Sequence, residues 1–185
     1  MTTVPTPTII GLGRPLAGHQ VLIRPFELDD ITEAYLGWLR DPEVVRYSNQ
    51  RFHLHTIDSC RAYLATFKDS GNYFLAICDR GSGVMLGTLT VHRNAHHGTA
   101  DIGIMIGARQ VWGRGVGTDA FCLVLSTLKT CGLIRKVTAG TLSVNRGMVQ
   151  IMEKAGMHIE ATRRAQELLD GEPVDVVYYA TFCYD

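Results

Sequence analysis

The chain mixes two spacings of apolar residues, one typical of strands and one typical of helices. The segment "NYFLAICDRGSGVMLGTLTVHRN" has two β-rich runs on either side of "DRGSG", which predicts a β-hairpin. The segment "TADIGIMIG" that follows it predicts another strand. Further on, apolar residues recur every three or four positions and define one face of a helix: Val116, Ala120, Phe121, Val124, Leu125 and Leu128.

The remaining elements follow from the same patterns and their end signals. The stretch "ELDDITEAYLGWLRDPEVVRY" predicts a helix that begins near Asp29 or Asp30 and ends around Asp41. "HTIDSCRAYLATFKDSG" predicts a second helix, and "NRGMVQIMEKAG" a third that is closed by Gly156. "TIIGLGRPLAGHQVLIRP" predicts two short strands around a Gly/Pro turn, "IRKVTAGTLSV" one strand, and the end of the chain a hairpin around Asp170.

The order of these elements, β-α-α-β-β-β-α-β-α-β-β, predicts the fold class. Strands and helices mixed in this way indicate an α/β domain with helices packed on a central sheet. A chain of 185 residues suits one such domain with a sizeable core. We therefore expect a single domain over residues 1–185, with the Thr/Pro-rich residues 1–8 as a flexible arm.

Composition excludes several classes of protein from this expectation. Lys plus Arg and Asp plus Glu number 18 each, which argues against a general binder of nucleic acid or of anionic membranes. No apolar run approaches the roughly 18 residues of a membrane span, and the first residues do not resemble a signal peptide, so we expect a cytoplasmic protein. The five cysteines form no C-x-x-C pair, and we expect neither a disulfide framework nor a zinc site.

The segment "QVWGRGVGTDA" between a predicted strand and a predicted helix is the most specific feature of the sequence. Its glycines, Gly113, Gly115 and Gly117, leave the first N–H groups of the helix accessible, and these donors with the helix dipole can bind an anion. The pattern is not G-x-G-x-x-G, since Thr118 stands at the third position, and it contains no G-K-[ST]. A plain tight turn from strand to helix is the other interpretation.

This segment resembles the pyrophosphate loop of the GNAT acyltransferase superfamily, whose motif is Q/R-x-x-G-x-G/A. Gln110, Gly113 and Gly115 match the motif literally. Trp112, Gly115 and Gly117 match it in a second register, which we prefer because its glycines directly precede the helix. That register is similar to the branch of ribosomal-protein N-terminal (alanine/serine) acetyltransferases.

The resemblance extends over nearly the whole chain. "LIRPFELDDITEAYLGWLRDPEVVRY", "SVNRGMVQIMEKAGM" and "LDGEPVDVVYYATF" are similar to the opening, the late helix and the last hairpin of that branch. The resemblance implies the GNAT fold, in which two neighbouring parallel strands, here "DIGIMIG" and "VTAGTLSV", splay apart. It also implies transfer of an acetyl group from acetyl-CoA, the co-substrate, to an amine that attacks directly.

The resemblance carries over to particular residues. The backbone of Ile104, Met105 and Ile106 is expected to face the thioester, where N–H groups stabilise a developing oxyanion. Asn145 is expected to contact the pantetheine side, although Asn also suits a helix N-cap. The residues expected to hold the pyrophosphate are Trp112, Gly113, Arg114, Gly115, Val116, Gly117 and Thr118.

Asp101 is the candidate general base, because it stands where the branch often has an acidic residue at the start of the splayed strand. It would remove the proton of the ammonium form of the acceptor, through water. A structural carboxylate at a strand end is the alternative, and Glu160 and Asp175 are weaker candidates for the base.

Other positions depart from the family pattern or stay open. Met148 and Met152 occupy the places where the family often has a Ser or Tyr that protonates the leaving thiolate. Either water or the hydroxyl of Ser143, Tyr178 or Tyr179 serves instead, or no acid is needed, since a thiol of pKa about 8.5 leaves fairly well as the anion. The segment with His92, His96 and His97 reads as a solvated loop, a rim of the acceptor cleft or a metal site, and no fourth metal ligand has helpful spacing.

The acceptor is the least determined part of this interpretation. Resemblance to the branch favours a protein or peptide N-terminal amine, and an amino sugar or other small amine is the alternative. A protein that binds CoA without catalysis, as a sensor or structural subunit, is a third hypothesis. We expect no nucleic-acid partner, no membrane and no metal, and the oligomeric state is open, with a homodimer suggested by the family.

Overall fold

The computed structural model of the protein describes residues 8–183. The strands are Leu16–Ala17 (β1), Val21–Pro25 (β2), Tyr73–Asp79 (β3), Met85–Asn94 (β4), Thr99–Ile106 (β5), Lys136–Leu142 (β6), His158–Leu169 (β7) and Glu172–Phe182 (β8). The α-helices are Glu33–Arg40 (α1), Pro42–Val45 (α2), Ile57–Ala65 (α3), Val116–Thr130 (α4) and Arg146–Lys154 (α5). Short 3₁₀ helices cover Ile10–Gly13, Leu28–Asp30, Asn49–Phe52 and Arg109–Val111.

All eight strands form one mixed sheet in the order β1-β2-β3-β4-β5-β6-β8-β7. Every neighbouring pair is antiparallel except β5 and β6, which are parallel. Parallel neighbours need a crossover connection, and α4 supplies it between β5 and β6. The architecture confirms the predicted α/β class with one parallel pair at the centre of the sheet.

Hydrophobic cores lie on both faces of the sheet. On one face, the six residues predicted to form the apolar side of α4 are all buried against strand residues such as Ile77, Leu89 and Ile102. On the other face, α1 and α3 pack over an aromatic cluster that includes Phe26, Phe74 and Phe67, with Phe26 and Phe74 stacked at 4.3 Å. The helices therefore divide the sheet into an α4/α5 face and an α1/α3 face.

Two predicted boundaries near the start of the chain were wrong. Residues Ile10–Gly13 form a 3₁₀ helix instead of a strand, so the predicted pair of strands shortens to β1 and β2 around Gly18. The first long helix begins at Glu33 behind a Thr32 cap, later than the predicted start near Asp29 or Asp30. Asp30 is not its cap because its carboxylate binds the Arg24 guanidinium at 2.6 and 2.7 Å.

The predicted flexible arm of residues 1–8 lies outside the described residues except for Thr8. The other predicted elements are confirmed: the β3–β4 hairpin, β5, α3, α4, β6, α5 and the final β7–β8 hairpin. The predicted end of the first helix at Asp41 is also confirmed, but Asp41 then caps a second short helix, α2.

The two edges of the sheet differ. β1 is only two residues long. β7 has twelve residues, almost all of them exposed, and its pairing with β8 is interrupted by register shifts at Ile159/Ala161 and Arg163/Glu167. Within the second shift, Ala165 adopts a φ of 49° and donates its N–H to Asp175. The long edge strand is therefore irregular in the middle.

Asp119, in the first turns of α4, ties that helix to the β1–β2 turn. Its carboxylate accepts the backbone N–H groups of His19, Gln20 and Val21 at 3.2, 2.7 and 3.2 Å. Gln20 also donates its side-chain amide to the Arg114 carbonyl at 3.3 Å, just before the helix. The start of α4 and the loop that leads into it are thus held by a segment about 100 residues away in sequence. We call this set of contacts the Asp119 clasp.

Removing the clasp is expected to cost stability. Asp119→Ala leaves three backbone donors without their charged acceptor, and the free energy of unfolding should fall by about 1–2 kcal/mol. Asp58→Ala is the matched control, since Asp58 is also a first-turn carboxylate, and its one polar partner among residues 8–183 is Arg61, at 3.6 Å. That control should change stability by less than about 0.5 kcal/mol. Urea denaturation of both variants measures the difference, and equal losses would contradict the role of the clasp.

Candidate active site

The parallel strands β5 and β6 pair over a short length and then separate. Only Thr99, Ala100 and Asp101 of β5 have partners in β6, and the last registered pair is Asp101 with Thr138. Both strands continue beyond this pair, β5 to Ile106 and β6 to Leu142. The sheet therefore opens into a V-shaped gap at its centre, which begins at Asp101 and Thr138, as the resemblance implied.

Backbone groups of alternate residues point into this gap. The carbonyls of Gly98 and Ala100 face β6, since Gly98 accepts the Arg135 N–H at 2.7 Å and Ala100 accepts the Thr138 hydroxyl at 3.4 Å. Residues two apart in a strand direct their backbone groups to the same side. Ile104 and Ile106 therefore present theirs to the gap.

The intervening residue of β5 behaves differently. Met105 directs its backbone groups to β4, where it is registered with Thr88. Its side chain packs with the α1/α3 core. From the β6 side, the same alternation directs the backbone groups of Gly140 and Leu142 into the gap, because the odd-numbered residues bond β8. Both walls of the gap thus carry backbone groups without a strand partner.

The glycine segment forms a tight turn into α4 at the open end of the gap. Gly113 and Gly115 have φ angles of 74° and 86°, which residues other than glycine rarely adopt. Gly115 is the N-cap of the helix. The Asp119 N–H bonds the Gly115 carbonyl at 2.9 Å. The N–H groups of the first helical residues, 116–118, have no acceptor within residues 8–183. They form a cradle of donors with the positive end of the helix dipole behind it.

The third glycine, Gly117, has a packing role in addition to its N–H in the cradle. A Cβ on Gly113 would meet nothing within 4 Å, and one on Gly115 would meet only the Gln20 amide at 3.4 Å. A Cβ on Gly117 would lie 3.0 Å from Ile151 of α5 and 3.5 Å from Ile106. Gly117 therefore allows close packing of α4 against its neighbours, and the space that a large anion needs lies at Gly113 and Gly115.

Trp112 closes the gap beside this cradle. Its indole N–H donates to the Ile106 carbonyl at 2.8 Å, while its ring stays partly exposed and lies 5.6 Å from the Arg109 guanidinium. Arg114, between the two left-handed glycines, is exposed, and no contact holds its side chain within the described residues. The loop thus adds positive charge to the donors of the helix terminus.

Asp101 lies at the point where the two strands part. Its carboxylate accepts a hydrogen bond from the Thr138 hydroxyl at 2.7 Å. In the sheet, Asp101 is paired with His92 of the neighbouring strand β4. Asp101 is partly exposed, but the protein atoms packed around its carboxyl remove enough water to raise its pKa, an effect that the Thr138 hydrogen bond and the charge of His92 only partly offset. A carboxylate with a raised pKa is a better proton acceptor than an ordinary aspartate.

The other candidate bases are engaged elsewhere. Glu160 forms an ion pair with Lys136. Asp175 accepts the Ala165 N–H at 2.8 Å, which stabilises the irregular part of β7. Of the three carboxylates considered, Asp101 alone borders the gap.

Asn145 is confirmed as the N-cap of α5. Its side-chain oxygen accepts the Met148 N–H at 3.3 Å, and its amide donates to the Thr141 hydroxyl at 2.9 Å. The second N–H of that amide has no acceptor among residues 8–183. The cap therefore fixes the side chain beside the end of β6 and leaves one donor for a ligand.

The positions at which the family often has hydroxyls lie in the core. Met148 and Met152 are buried under the α4/α5 face of the sheet. Tyr179 is buried there too, and its hydroxyl donates to Glu153 at 3.2 Å. Tyr178 points to the opposite face and covers Gly140 at the gap, where an added Cβ would lie 2.9 Å from its ring. Tyr178 and Ser143, which directly follows β6, are thus the hydroxyl-bearing candidates beside the separated strands.

The histidines of the segment 92–97 are held by different parts of the structure. His92 lies on β4 with its ring 5.6 Å from that of Phe67, and His97 is anchored through its backbone to Asn94 and Arg135. Within the described part of the chain, no three His, Cys, Asp or Glu side chains cluster as metal ligands would. No helix in that part is long and apolar enough to cross a bilayer.

Sequence reasoning missed the residues that support the site from a distance. The Asp119 clasp and Gly140 were not identified, and neither was a cavity lined by the arginines of residues 40–51. An acidic residue early in a helix is a visible signal, but nothing in the sequence indicates that its partners lie about 100 residues away.

Comparisons with known proteins agree with this geometry. The sequence profile of the acetyltransferase (GNAT) domain matches residues 20–158. No protein of curated function matches the sequence. Many solved structures share the fold, and three of them illustrate its range.

The ribosomal L7/L12 alpha-N-protein acetyltransferase RimL, solved with coenzyme A, has a TM-score of 0.79 at 14% identity, over 90% of this chain and 96% of that one. The ribosomal-protein-S5-alanine acetyltransferase of Vibrio fischeri has a TM-score of 0.79 at 12% identity, over 92% and 97%. The spermidine N-acetyltransferase of Vibrio cholerae, solved with CoA and spermine, has a TM-score of 0.77 at 18% identity, over 88% and 95%.

The profile covers most of the chain, including the parting strands, the glycine cradle and the Asn145 cap. At these low identities the likeness to solved structures shows the fold, but it does not identify the acceptor. The chain belongs to the acetyltransferase (GNAT) domain family and is an acetyl-CoA-dependent N-acetyltransferase.

Proposed function

We propose that the protein transfers the acetyl group of acetyl-CoA to the primary amine of a protein N-terminus or peptide, by direct attack of the amine. The gap between β5 and β6 is the observation that carries this proposal, because it places backbone donors without a strand partner beside the Asp101 carboxylate, which accepts only the Thr138 hydroxyl among the described residues. Bound acetyl-CoA supplies the activated thioester. The residues of this chain bind it, orient it and accept the proton of the amine.

The pyrophosphate is assigned to the cradle at the start of α4. The free N–H groups of residues 116–118 and the helix dipole favour a doubly charged anion there. The open space at Gly113 and Gly115 fits a group as large as a pyrophosphate. Arg114 adds a positive charge at the rim, and the Asp119 clasp keeps the loop in its turn conformation.

The thioester is assigned to the gap between the strands. The N–H of Ile104 points into the gap without a strand partner, and it would stabilise negative charge that develops on the thioester oxygen. The spare amide N–H of Asn145 lies beside the end of β6, where it can bond the pantetheine amides. Holding both reactants in one groove supplies much of the acceleration, since it removes the entropic cost of their encounter.

Asp101 is assigned as the proton acceptor. It lies where the strands part, and its raised pKa suits removal of a proton from an ammonium group through water. The buried Met148 and Met152 donate no proton, so the thiolate leaves as the anion or is protonated by water or by Tyr178.

The acceptor assignment rests on the likeness of the sequence to the N-terminal acetyltransferase branch. The solved neighbours include N-terminal and spermidine acetyltransferases, so the fold is compatible with several amines. A peptide with a free N-terminus is therefore the first acceptor to test.

The activity is tested by release of CoA thiol. Acetyl-CoA and a peptide with a free N-terminal Ser or Ala should release thiol and gain one acetyl group by mass. The same peptide with a blocked N-terminus is the control and should give only the background rate. Tight binding of acetyl-CoA without turnover of any amine would instead identify a CoA-binding protein that is not an enzyme.

Arg114→Glu is expected to weaken acetyl-CoA binding without unfolding the protein. The substitution replaces an exposed cation of the cradle by an anion, and the Kd should rise at least about tenfold, or about 1.4 kcal/mol. The effect should shrink at high salt, since exposed charges are screened. Arg61→Glu, an exposed site on α3, is the control for charge alone. Calorimetric titration of both variants measures the Kd, and equal values would remove Arg114 from the site.

Asp101→Asn is expected to lower kcat/KM by about 10²- to 10⁴-fold near neutral pH, because general-base catalysis contributes that much. In the wild type, kcat/KM should rise with pH as Asp101 ionises at its raised pKa, and the pH profile of the variant should lack this rise. The loss should diminish at high pH, where the free amine forms without help.

Stability separates this role from a structural one. A folded-state pKa above the unfolded value gives stability that is present at low pH and lost as pH rises through the folded pKa. Asn keeps the neutral form at every pH, so the variant should be at least as stable as the wild type at neutral pH. A variant that is well folded and nearly fully active at pH 7 would make Asp101 a structural carboxylate.

A further inference from the structure

A cavity of about 380 Å³ lies between the helical segment of residues 39–55 and the tip of the β7–β8 hairpin. Its polar lining contains three guanidinium groups, two imidazoles and one carboxylate: Arg40, Arg46, Arg51, His53, His55 and Asp170. Positive groups thus outnumber negative ones in the wall, and we call this space the arginine cavity.

Arg46 has most of its donors unused. Its Nη2 group donates to the Asp170 carboxylate at 3.0 Å, and its Nε is buried without an acceptor among the described residues. A guanidinium has five N–H donors, so a single carboxylate leaves room for a second acceptor. A buried donor without a partner costs free energy, and a ligand that supplies an acceptor recovers it.

Arg40 and Arg51 make different contacts in the cavity wall. Arg40 donates Nε and Nη2 to the His55 carbonyl at 3.2 and 2.9 Å, and its Nη1 is 3.9 Å from Glu33, whose side chain is largely exposed. Arg51 donates to the Ser48 and Leu168 carbonyls at 2.8 and 3.1 Å and so holds the hairpin tip against the helices. Arg51 builds the wall, whereas Arg40 and Arg46 keep donors for a ligand.

The arginine cavity lies on the same face of the sheet as Asp101. Side chains two apart in a strand share a face, so Asp101 and Met105 are on one side, and Met105 packs with the α1/α3 core. α1 reaches the end of β5 at Gly107, where an added Cβ would overlap the Trp38 ring. Ile104 lies three residues before Gly107, which is roughly 10 Å of strand.

We propose that the arginine cavity binds an anionic group of the acceptor, a carboxylate or a phosphate, through Arg46 and Arg40. The end of α1 forms part of the cavity wall, and Trp38 of the same helix contacts Gly107 at the end of β5, so the cavity lies next to the open end of the gap. For a peptide acceptor we assign the anion to an acidic side chain at the second or third position. This inference rests on the proposed function and names the substrate class of that site.

The charge of the cavity argues against a polyamine. A polycation needs several carboxylates, and Asp170 is the one acidic residue of the lining, where it bonds Arg46. Glu33 and Glu167, which lie outside the lining, pair with Arg40 and Arg51. Carboxylates and phosphates match the planar donors of a guanidinium and form charge-assisted hydrogen bonds with it.

The acceptor panel uses matched probes with the full-length enzyme. Ser-Asp-Glu, Ser-Asn-Gln and Ser-Lys-Lys peptides compare acidic, neutral and basic acceptors, and spermidine tests a polycation. Glucosamine and glucosamine 6-phosphate test whether a phosphate on a small amine serves as the anion. We expect kcat/KM for the acidic peptide to exceed that for the neutral peptide at least tenfold, with the basic peptide and spermidine lower still.

Two substitutions with opposite expected effects separate binding from folding. Arg46→Gln should reduce the ratio of acidic to neutral kcat/KM at least tenfold. Asp170→Asn removes the competing carboxylate and frees Arg46, so it should raise that ratio; Asn tolerates the left-handed φ of 54° at this position. Arg61→Gln on α3 is the control and should leave the ratio unchanged. If the Arg46–Asp170 pair is purely structural, Arg46→Gln and Asp170→Asn should change the ratio of acidic to neutral kcat/KM in the same direction, which would contradict the proposal.

Binding of the acidic peptide, measured by calorimetry in the presence of CoA, gives a readout that does not need turnover. Tighter binding of the acidic than of the neutral peptide, lost in Arg46→Gln, supports the proposal even if no amine is acetylated. Equal binding and equal turnover of the two peptides overturn it while leaving the proposed acetyl transfer intact. Preference for spermidine or the basic peptide overturns it as well.

Discussion

The active site depends on the loss of pairing between two central strands. Inside a sheet, a backbone N–H without a partner costs free energy, and most are therefore bonded. β5 and β6 give up their ladder after Asp101 and Thr138. The unpaired groups of Ile104 and Gly140 then become a built-in binding edge, because a ligand with its own amides can restore the missing bonds. If acetyl-CoA binds as we propose, its binding and the completion of the sheet are one event.

The elements around this gap keep the strands apart and the loop in place. α4 connects β5 to β6 and packs on both, so its position sets the spread of the gap. The Asp119 clasp fixes the beginning of α4, while Trp112 bonds the last carbonyl of β5. Gly117 lets α4 approach Ile151 closely. The flexible residues of the glycine segment thus sit in a rigid surrounding, which is what orientation of two reactants requires.

The sequence predicted most of the fold and the part of the site that depends on backbone. The periodicity of Val116 to Leu128 and the glycines before it are local signals, and both the helix and its turn are confirmed. The prediction failed at Asp30, which bonds Arg24 and caps the short 3₁₀ helix Leu28–Asp30 instead of starting α1. The close packing of Gly117 against Ile151 was also not predicted, because it depends on tertiary structure. The arginine cavity joins residues 40–55 to residues 169–170, and no local pattern reports that contact.

The irregular edge strand β7 has a consequence for the behaviour of the protein at high concentration. A long, regular edge would offer its free backbone groups to an identical edge of another molecule and begin a chain of added strands. In β7 the two register shifts and the bend at Ala165 break that template, and charged residues, among them Arg163, Arg164 and Glu167, line it. At the opposite edge, β1 is too short to serve as a template. Colloidal stability is therefore built into the two ends of the sheet, even though the net charge of zero provides no overall repulsion between molecules.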